Sequence, residues 1–153
     1  NGVKFISVES TADMYDAVMK NLDVDVVIKA AAPADYKIAT YSEEKIKKSD
    51  DEMTLTLAKN PDILKEVGKL KTHQILVGFA AETNNVEAYA KKKLVEKNLD
   101  FIVANDVSKE GAGFNGDTNI VTLYDKDGSK EAYDCLEKSE VAKLILDKVI
   151  RKL

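Results

Sequence analysis

Lys93 and Lys97 stand four residues apart in the segment Asn84 to Asn98, where Val86, Tyr89, Ala90 and Leu94 recur at helical spacing. At about 100° per residue these four residues define one inward stripe, and both lysines fall within it while Lys91 and Lys92 point elsewhere. An ammonium on an apolar face either snorkels out along its stem or meets an anion, because an unpaired buried charge costs several kcal/mol. Two such groups one turn apart also repel each other. A shared anion relieves both difficulties, and a phosphate chain has the charge and reach to do so.

The run Val26-Val27-Ile28-Lys29-Ala30-Ala31-Ala32-Pro33-Ala34-Asp35-Tyr36 passes from β-branched residues into alanines, and Lys45-Ile46-Lys47-Lys48 follows shortly after. Small side chains at a strand end let a flat ligand approach, and a basic loop beyond it can close over phosphates and exclude water. At an effective dielectric of about 20, one lysine about 4 Å from a phosphate charge contributes about 4 kcal/mol of Coulomb attraction before desolvation is subtracted. Three predicted strands end alike, in Ala30-Ala31-Ala32, Phe79-Ala80-Ala81 and Ala104-Asn105-Asp106. Ligands of open α/β sheets sit outside the carboxyl ends of the strands, so these ends line one crevice. The plain alternatives are alanines that only pack against a helix and a basic run that is only a solvated face. Three such ends together favour the crevice.

Gly111-Ala112-Gly113-Phe114-Asn115-Gly116 matches G-x-G-x-x-G, but the dinucleotide fingerprint needs a strand before it and a helix after it. Asp117 to Tyr124 reads as a turn entering a strand, so a glycine-rich loop without NAD is the better reading. There is no Walker A sequence and no serine or cysteine triad pattern. His73, the only histidine, falls at a helix-to-strand junction as a structural residue, and Cys135 reads as a packed hydrophobe.

The elements that must position these residues alternate. Val3 to Val8 reads as a strand, and Ser10 with Asp13 forms a capping box ahead of Met14, Ala17, Val18 and Leu22 at helical spacing. Asp25 to Ala31 reads as a strand covered on both faces, and Pro33 to Asp51 as a long functional loop. Met53, Leu55 and Leu57 alternate with threonines, as in one arm of a hairpin outside the main sheet. Asn60 caps a helix with Pro61 at its first position and Ile63, Leu64, Val67 and Leu70 as its stripe. Ile75 to Phe79 and Phe101 to Ala104 are further strands on either side of the lysine-bearing helix. Asp127-Gly128 joins Asn119 to Tyr124 with Lys130 to Leu136 as a hairpin, and a last helix from Ser139 turns Val141, Leu144, Ile145, Val149 and Ile150 inward. The expected fold is α/β, a doubly wound and mainly parallel sheet with an excursion hairpin or flap and a C-terminal hairpin plus helix.

The 153 residues, 44% hydrophobic, suit one domain with a real core. A net charge of −4 argues against a nucleic-acid partner, although screening over about 8 Å lets a local basic cluster act within an acidic protein. One cysteine makes no internal disulfide, and no apolar run reaches the length of about 20 residues that a membrane span needs. With no signal peptide visible, the cytoplasm is the expected location.

Six segments, in order along nearly the whole chain, resemble phosphopantothenoylcysteine synthetase, the synthetase half of the bacterial coenzyme A biosynthesis flavoprotein. They are Ala30-Ala31-Ala32-Pro33-Ala34-Asp35-Tyr36, Lys45-Ile46-Lys47-Lys48, Lys59-Asn60-Pro61-Asp62-Ile63, Val77-Gly78-Phe79-Ala80-Ala81-Glu82-Thr83, Ala104-Asn105-Asp106-Val107, and Gly113-Phe114 with Asp117 and Asn119. The resemblance implies a ligase that joins 4′-phosphopantothenate to L-cysteine. CTP is its cosubstrate, the intermediate is an acyl-cytidylate, and magnesium is held largely through the nucleotide. It also implies that Lys45 contacts the triphosphate and is needed for turnover. It assigns Lys29, Ala30, Ala31, Asp35, Asn60, Pro61, Asp62, Ile63, Phe79, Lys93 and Lys97 to the nucleotide pocket. A homodimer is implied, with Glu52 to Ala58 as the candidate contact strand, and a flavin decarboxylase half can be fused or associated. Such a half binds FMN, which is not expected on this chain. The family domain opens with a further strand, glycine-rich loop and helix that Asn1 onward does not supply. The expectation is therefore a shortened synthetase domain over 1–153 that binds CTP and synthesises little. A non-catalytic nucleotide-binding or dimerisation module of the same build is the alternative, and an NAD-dependent oxidoreductase resting on Gly111 to Gly116 comes third.

Overall fold

A computed structural model describes residues 2–46, 52–108 and 116–153. Lys47 and Lys48 of the basic run and Gly111 to Asn115 of the glycine-rich motif lie outside the described residues. The chain divides into two compact units, Asn1–Asn21 with Ala32–Ile63, and Leu22–Ala31 with Leu64–Leu153.

The smaller unit holds α1 (Thr11–Met19) and a two-stranded antiparallel ladder of β2 (Tyr36–Ile38) and β3 (Leu57–Lys59). α1 starts where the sequence says it should. The Ser10 hydroxyl accepts from Asp13 N at 3.1 Å and Ser10 N donates back to Asp13 Oδ2 at 2.9 Å. Of the hairpin arm expected from Met53 to Leu57 only Leu57 is in a strand, since β3 begins there and runs on to Lys59, so Glu52 to Thr56 of the expected contact strand form no strand; the partner of β3, β2, lies inside the stretch expected to be all loop. Val3 to Val8 is not a strand: a strand needs a ladder partner, none of the described strands pairs with it, and Val3 and Phe5 are 85% and 86% exposed.

The larger unit is built on a five-stranded sheet in the order β1-β4-β5-β6-β7. β1 (Val26–Lys29), β4 (Ile75–Glu82) and β5 (Phe101–Asp106) run parallel, whereas β6 (Thr118–Asp125) and β7 (Lys130–Glu137) are antiparallel. The sheet is therefore mixed rather than mainly parallel. β6 and β7 are joined by a tight turn in which Gly128 takes φ +90°, and so short a connection permits only antiparallel neighbours. β1 is an edge strand with Ile28 exposed, not a strand covered on both faces.

Helices lie on both faces of this sheet. On one, Val141, Ile145 and Val149 of α4 (Lys138–Ile150) pack with Ile75, Val77, Phe101, Val103, Val121 and Leu123. Alternation along β4 turns Leu76, Gly78 and Ala80 to the other face, which carries α2 (Ile63–Leu70) and α3 (Val86–Glu96). There Gly78 leaves room for Leu64 and Leu99, whose methyls would sit 2.9 and 2.8 Å from any added Cβ. The stripes end sooner than their spacing implies. Leu70 and Ile150, the last residues of α2 and α4, are exposed, since a terminal turn extends past the sheet it covers, and Tyr89, expected in the inward stripe of α3, is exposed as well.

Candidate functional site

In the larger unit the parallel strands end at staggered heights. Lys29 pairs with Gly78, so Ala30 and Ala31 leave β1 at the level of Phe79, while β4 continues to Glu82, level with Asp106 of β5. Lys29 folds its ammonium onto the Ala31 carbonyl at 2.8 Å. Phe79 is partly buried against the α4-side core, on the face of β4 opposite α3. A molecule touching both Phe79 and an α3 side chain would have to lie across the strand's carboxyl end, the crevice expected of an open sheet. The third strand end is tied into local bonds, with Asn105 Nδ2 donating to Asn119 Oδ1 at 3.2 Å and Ser108 N to Asp106 Oδ1 at 3.2 Å.

α3 carries Lys93 as the spacing requires, and Lys97 follows as its C-cap. Ala90 and Leu94 are buried, Lys93 and Lys97 are half-buried, and Lys91 and Lys92 are exposed. Lys91 and Lys130 both bond Glu87 in the first turn, at 2.6 and 2.9 Å, and hold its carboxyl down at about 2. Lys93 does meet an anion, one supplied by the protein itself: its Nζ donates to Glu82 Oε1 at 2.6 Å. The bond brings the ammonium to the last residue of β4. Lys97 stands elsewhere, as the C-cap of α3, with its backbone carbonyl over Gly68 of α2. Sequence reasoning missed Glu82 as the partner of Lys93, because the pairing depends on how α3 lies over β4.

In the smaller unit the hairpin register sets Tyr36 opposite Lys59, so Asp35 and Asn60 meet at its end. Asn60 N donates to the Asp35 carbonyl at 2.8 Å, and its side-chain amide donates to the Ala34 carbonyl at 2.9 Å and to Thr11 Oγ1 at 3.4 Å. Two expected site segments that lie far apart in sequence, at Asp35 and at Asn60-Pro61-Asp62, are thereby brought side by side. α2 begins at Ile63 rather than at Pro61, and Ile63 is 2% exposed, so it can offer a ligand its backbone and little else. Lys45 lies exposed in a stretch without helix or strand.

His73 is exposed in the turn before β4, its Nδ1 3.1 Å from Thr72 Oγ1. Cys135 is also exposed, on β7, and is no packed hydrophobe: the outward positions of this edge strand alternate with inward Leu136. Among the described residues no group of three or more His, Cys, Asp or Glu could hold a metal ion, and no helix is long and apolar enough to cross a membrane.

The chain is 53% identical over 147 residues to the "Coenzyme A biosynthesis bifunctional protein CoaBC" of Bacillus subtilis, covering 95% of this chain and 36% of that protein. It is similar at 44% identity and TM-score 0.76 to a crystal structure of the C-terminal domain of a CoaBC protein, covering 94% of this chain and 63% of that one. A DNA/pantothenate metabolism flavoprotein from Streptococcus pneumoniae shares the fold, with TM-score 0.77 at 22% identity. The chain spans a little over a third of the length of the curated relatives it matches. A sequence profile matches residues 1–153 in full, and the chain belongs to the DNA/pantothenate metabolism flavoprotein C-terminal domain family.

Proposed function

We propose that this chain is a phosphopantothenoylcysteine synthetase domain, which binds CTP and activates 4′-phosphopantothenate for coupling to L-cysteine in coenzyme A biosynthesis. Family membership supports the reaction class. The observation that carries the site is the delivery of an inward-facing α3 ammonium, Lys93, to the carboxyl end of β4, the crevice where a doubly wound, Rossmann-like sheet takes its nucleotide. In this reading the pantothenate carboxylate attacks the α-phosphate of CTP and pyrophosphate leaves. The cysteine amine then attacks the acyl carbon of the resulting acyl-cytidylate and expels CMP.

Each residue class has a share of the work. In the larger unit Lys93 offers its charge to the triphosphate at the end of β4; by the family resemblance Lys97 is a further nucleotide ligand, and Lys45 is the group whose loss should stop turnover. Lys29-Ala30-Ala31 and Phe79 give the nucleoside a close, flat approach. Asp35 with Asn60-Pro61-Asp62-Ile63 offers a preformed backbone corner. Magnesium, when bound, would be held largely through the triphosphate and would supply neutralisation of phosphate charge, as expected of an ion that prefers phosphate and water ligands. We place the domain in the cytoplasm, as a homodimer that pairs through Glu52 to Ala58. It acts within a protein that can also carry a flavin decarboxylase half.

Titration of the chain with CTP and with ATP, followed by pyrophosphate release in the presence of 4′-phosphopantothenate, tests the reading. Cytidine-selective binding with release supports the ligase. Binding with no preference for cytidine and no release supports a non-catalytic nucleotide-binding module, and no affinity for either nucleotide supports a bare dimerisation module.

A further inference from the structure

Glu82 occupies the last position of β4, level with Asp106, and its backbone carbonyl accepts Val107 N at 3.1 Å. Its main chain is therefore held by sheet pairing, and its side chain reaches the Lys93 ammonium. Oε1 takes the Lys93 proton at 2.6 Å, and the Lys93 and Glu82 side chains are 36% and 21% exposed. Solvent, and so a ligand, can reach the pair.

An ammonium has three donors, and the bond to Glu82 uses one. The two opposite charges leave the lysine with little net attraction for an incoming anion, while the carboxylate repels any phosphate that approaches the same nitrogen. We propose that Glu82 is a positioning residue that holds Lys93 at the strand end as an internal substitute for phosphate and yields it to the triphosphate. Occupying the ammonium keeps it aimed at the strand end when no nucleotide is bound. The same occupation weakens capture of weakly charged anions and eases release of pyrophosphate after activation. The proposal rests on Lys93 being a triphosphate ligand, and it adds Glu82 as the residue that sets how tightly that ligand is held.

Calorimetric titration with CTP of the wild type, Glu82→Gln, Lys93→Gln and the double variant tests it. Partly exposed ion pairs are worth up to about 1 kcal/mol, so removing the competing carboxylate should tighten CTP binding by up to about fivefold. The gain should shrink at high salt and vanish in the Lys93→Gln background. Thermal melting checks that each variant is folded. If Lys93→Gln weakens CTP binding but Glu82→Gln leaves it unchanged or weaker, the role given to Glu82 is wrong and the triphosphate site stands. If Lys93→Gln has no effect on CTP binding, the lysine is no phosphate ligand and the underlying assignment falls with the proposal. A merely structural Glu82 would act equally in both Lys93 backgrounds, which also overturns it.

Discussion

In the proposed reaction Lys45 is the residue on which turnover depends most, and nothing regular in the fold is built on it. It is exposed in a stretch without regular structure, so Lys45→Gln should leave the melting temperature unchanged, as surface substitutions stay within about 0.5 kcal/mol. CTP affinity should fall by about tenfold, corresponding to about 1.4 kcal/mol, and pyrophosphate release should be lost. Normal release in that variant would remove Lys45 from the mechanism. Asp100 is the opposite case, a structural charge. Its carboxylate is buried and accepts from Lys71 Nζ at 2.5 Å, Lys126 Nζ at 2.6 Å and Leu76 N at 2.7 Å. Burial pushes its pKa up, but the bonds from Lys126, Lys71 and the Leu76 amide outweigh burial, and the net shift is downward. A carboxyl depressed in the folded state stabilises the fold above its unfolded pKa of about 3.9 and loses that contribution as pH falls through the folded value. Asp100→Asn should cost about 2 to 4 kcal/mol at neutral pH, and the gap to wild type should narrow as denaturation is followed from pH 5 down to about pH 2. A constant gap would show that the charge is not what Asp100 contributes.

Among the elements, α2 and α3 meet at a point that tolerates no side chain. A Cβ on Gly68 would lie 2.0 Å from the Lys97 carbonyl oxygen, while Asn98, at φ +51°, donates its amide to the Gly68 carbonyl at 3.0 Å. The obstructing atom is backbone, so Gly68→Ala must move a helix end and should destabilise by about 1 to 3 kcal/mol in denaturant titration. An unchanged midpoint would mean that the close approach is not maintained in solution. Elements whose signals are local were legible in the sequence: the Ser10 and Asp13 box that starts α1, the Asp127-Gly128 turn, and the period that set Lys93 and Lys97 apart from Lys91 and Lys92. Elements defined by a partner were not. Val3 to Val8 has strand composition and no ladder. Tyr36-Lys37-Ile38 lies in a charged stretch and becomes β2 only because Leu57 to Lys59 pairs with it. The candidate site divides the same way. Helix periodicity revealed the lysine face, whereas Glu82 as its partner depends on how α3 lies over β4, which no spacing encodes.

For the molecule as a whole, the proposed assembly has a direct test. Tyr36, Ile38, Met53, Leu55 and Leu57 are exposed on and beside the hairpin, an apolar set of the kind that marks an interaction surface. Leu57→Lys should shift a homodimer toward monomer in sedimentation at micromolar concentration without unfolding either unit. A dimer of unchanged stability would place the contact elsewhere. The decisive measurement for the account is a crystal structure of the chain with CTP bound. The nucleotide should lie across the carboxyl ends of β1 and β4, with a phosphate oxygen within hydrogen-bonding distance of Lys93 Nζ. A CTP molecule bound elsewhere, with Lys93 touching no part of it, would contradict the central claim.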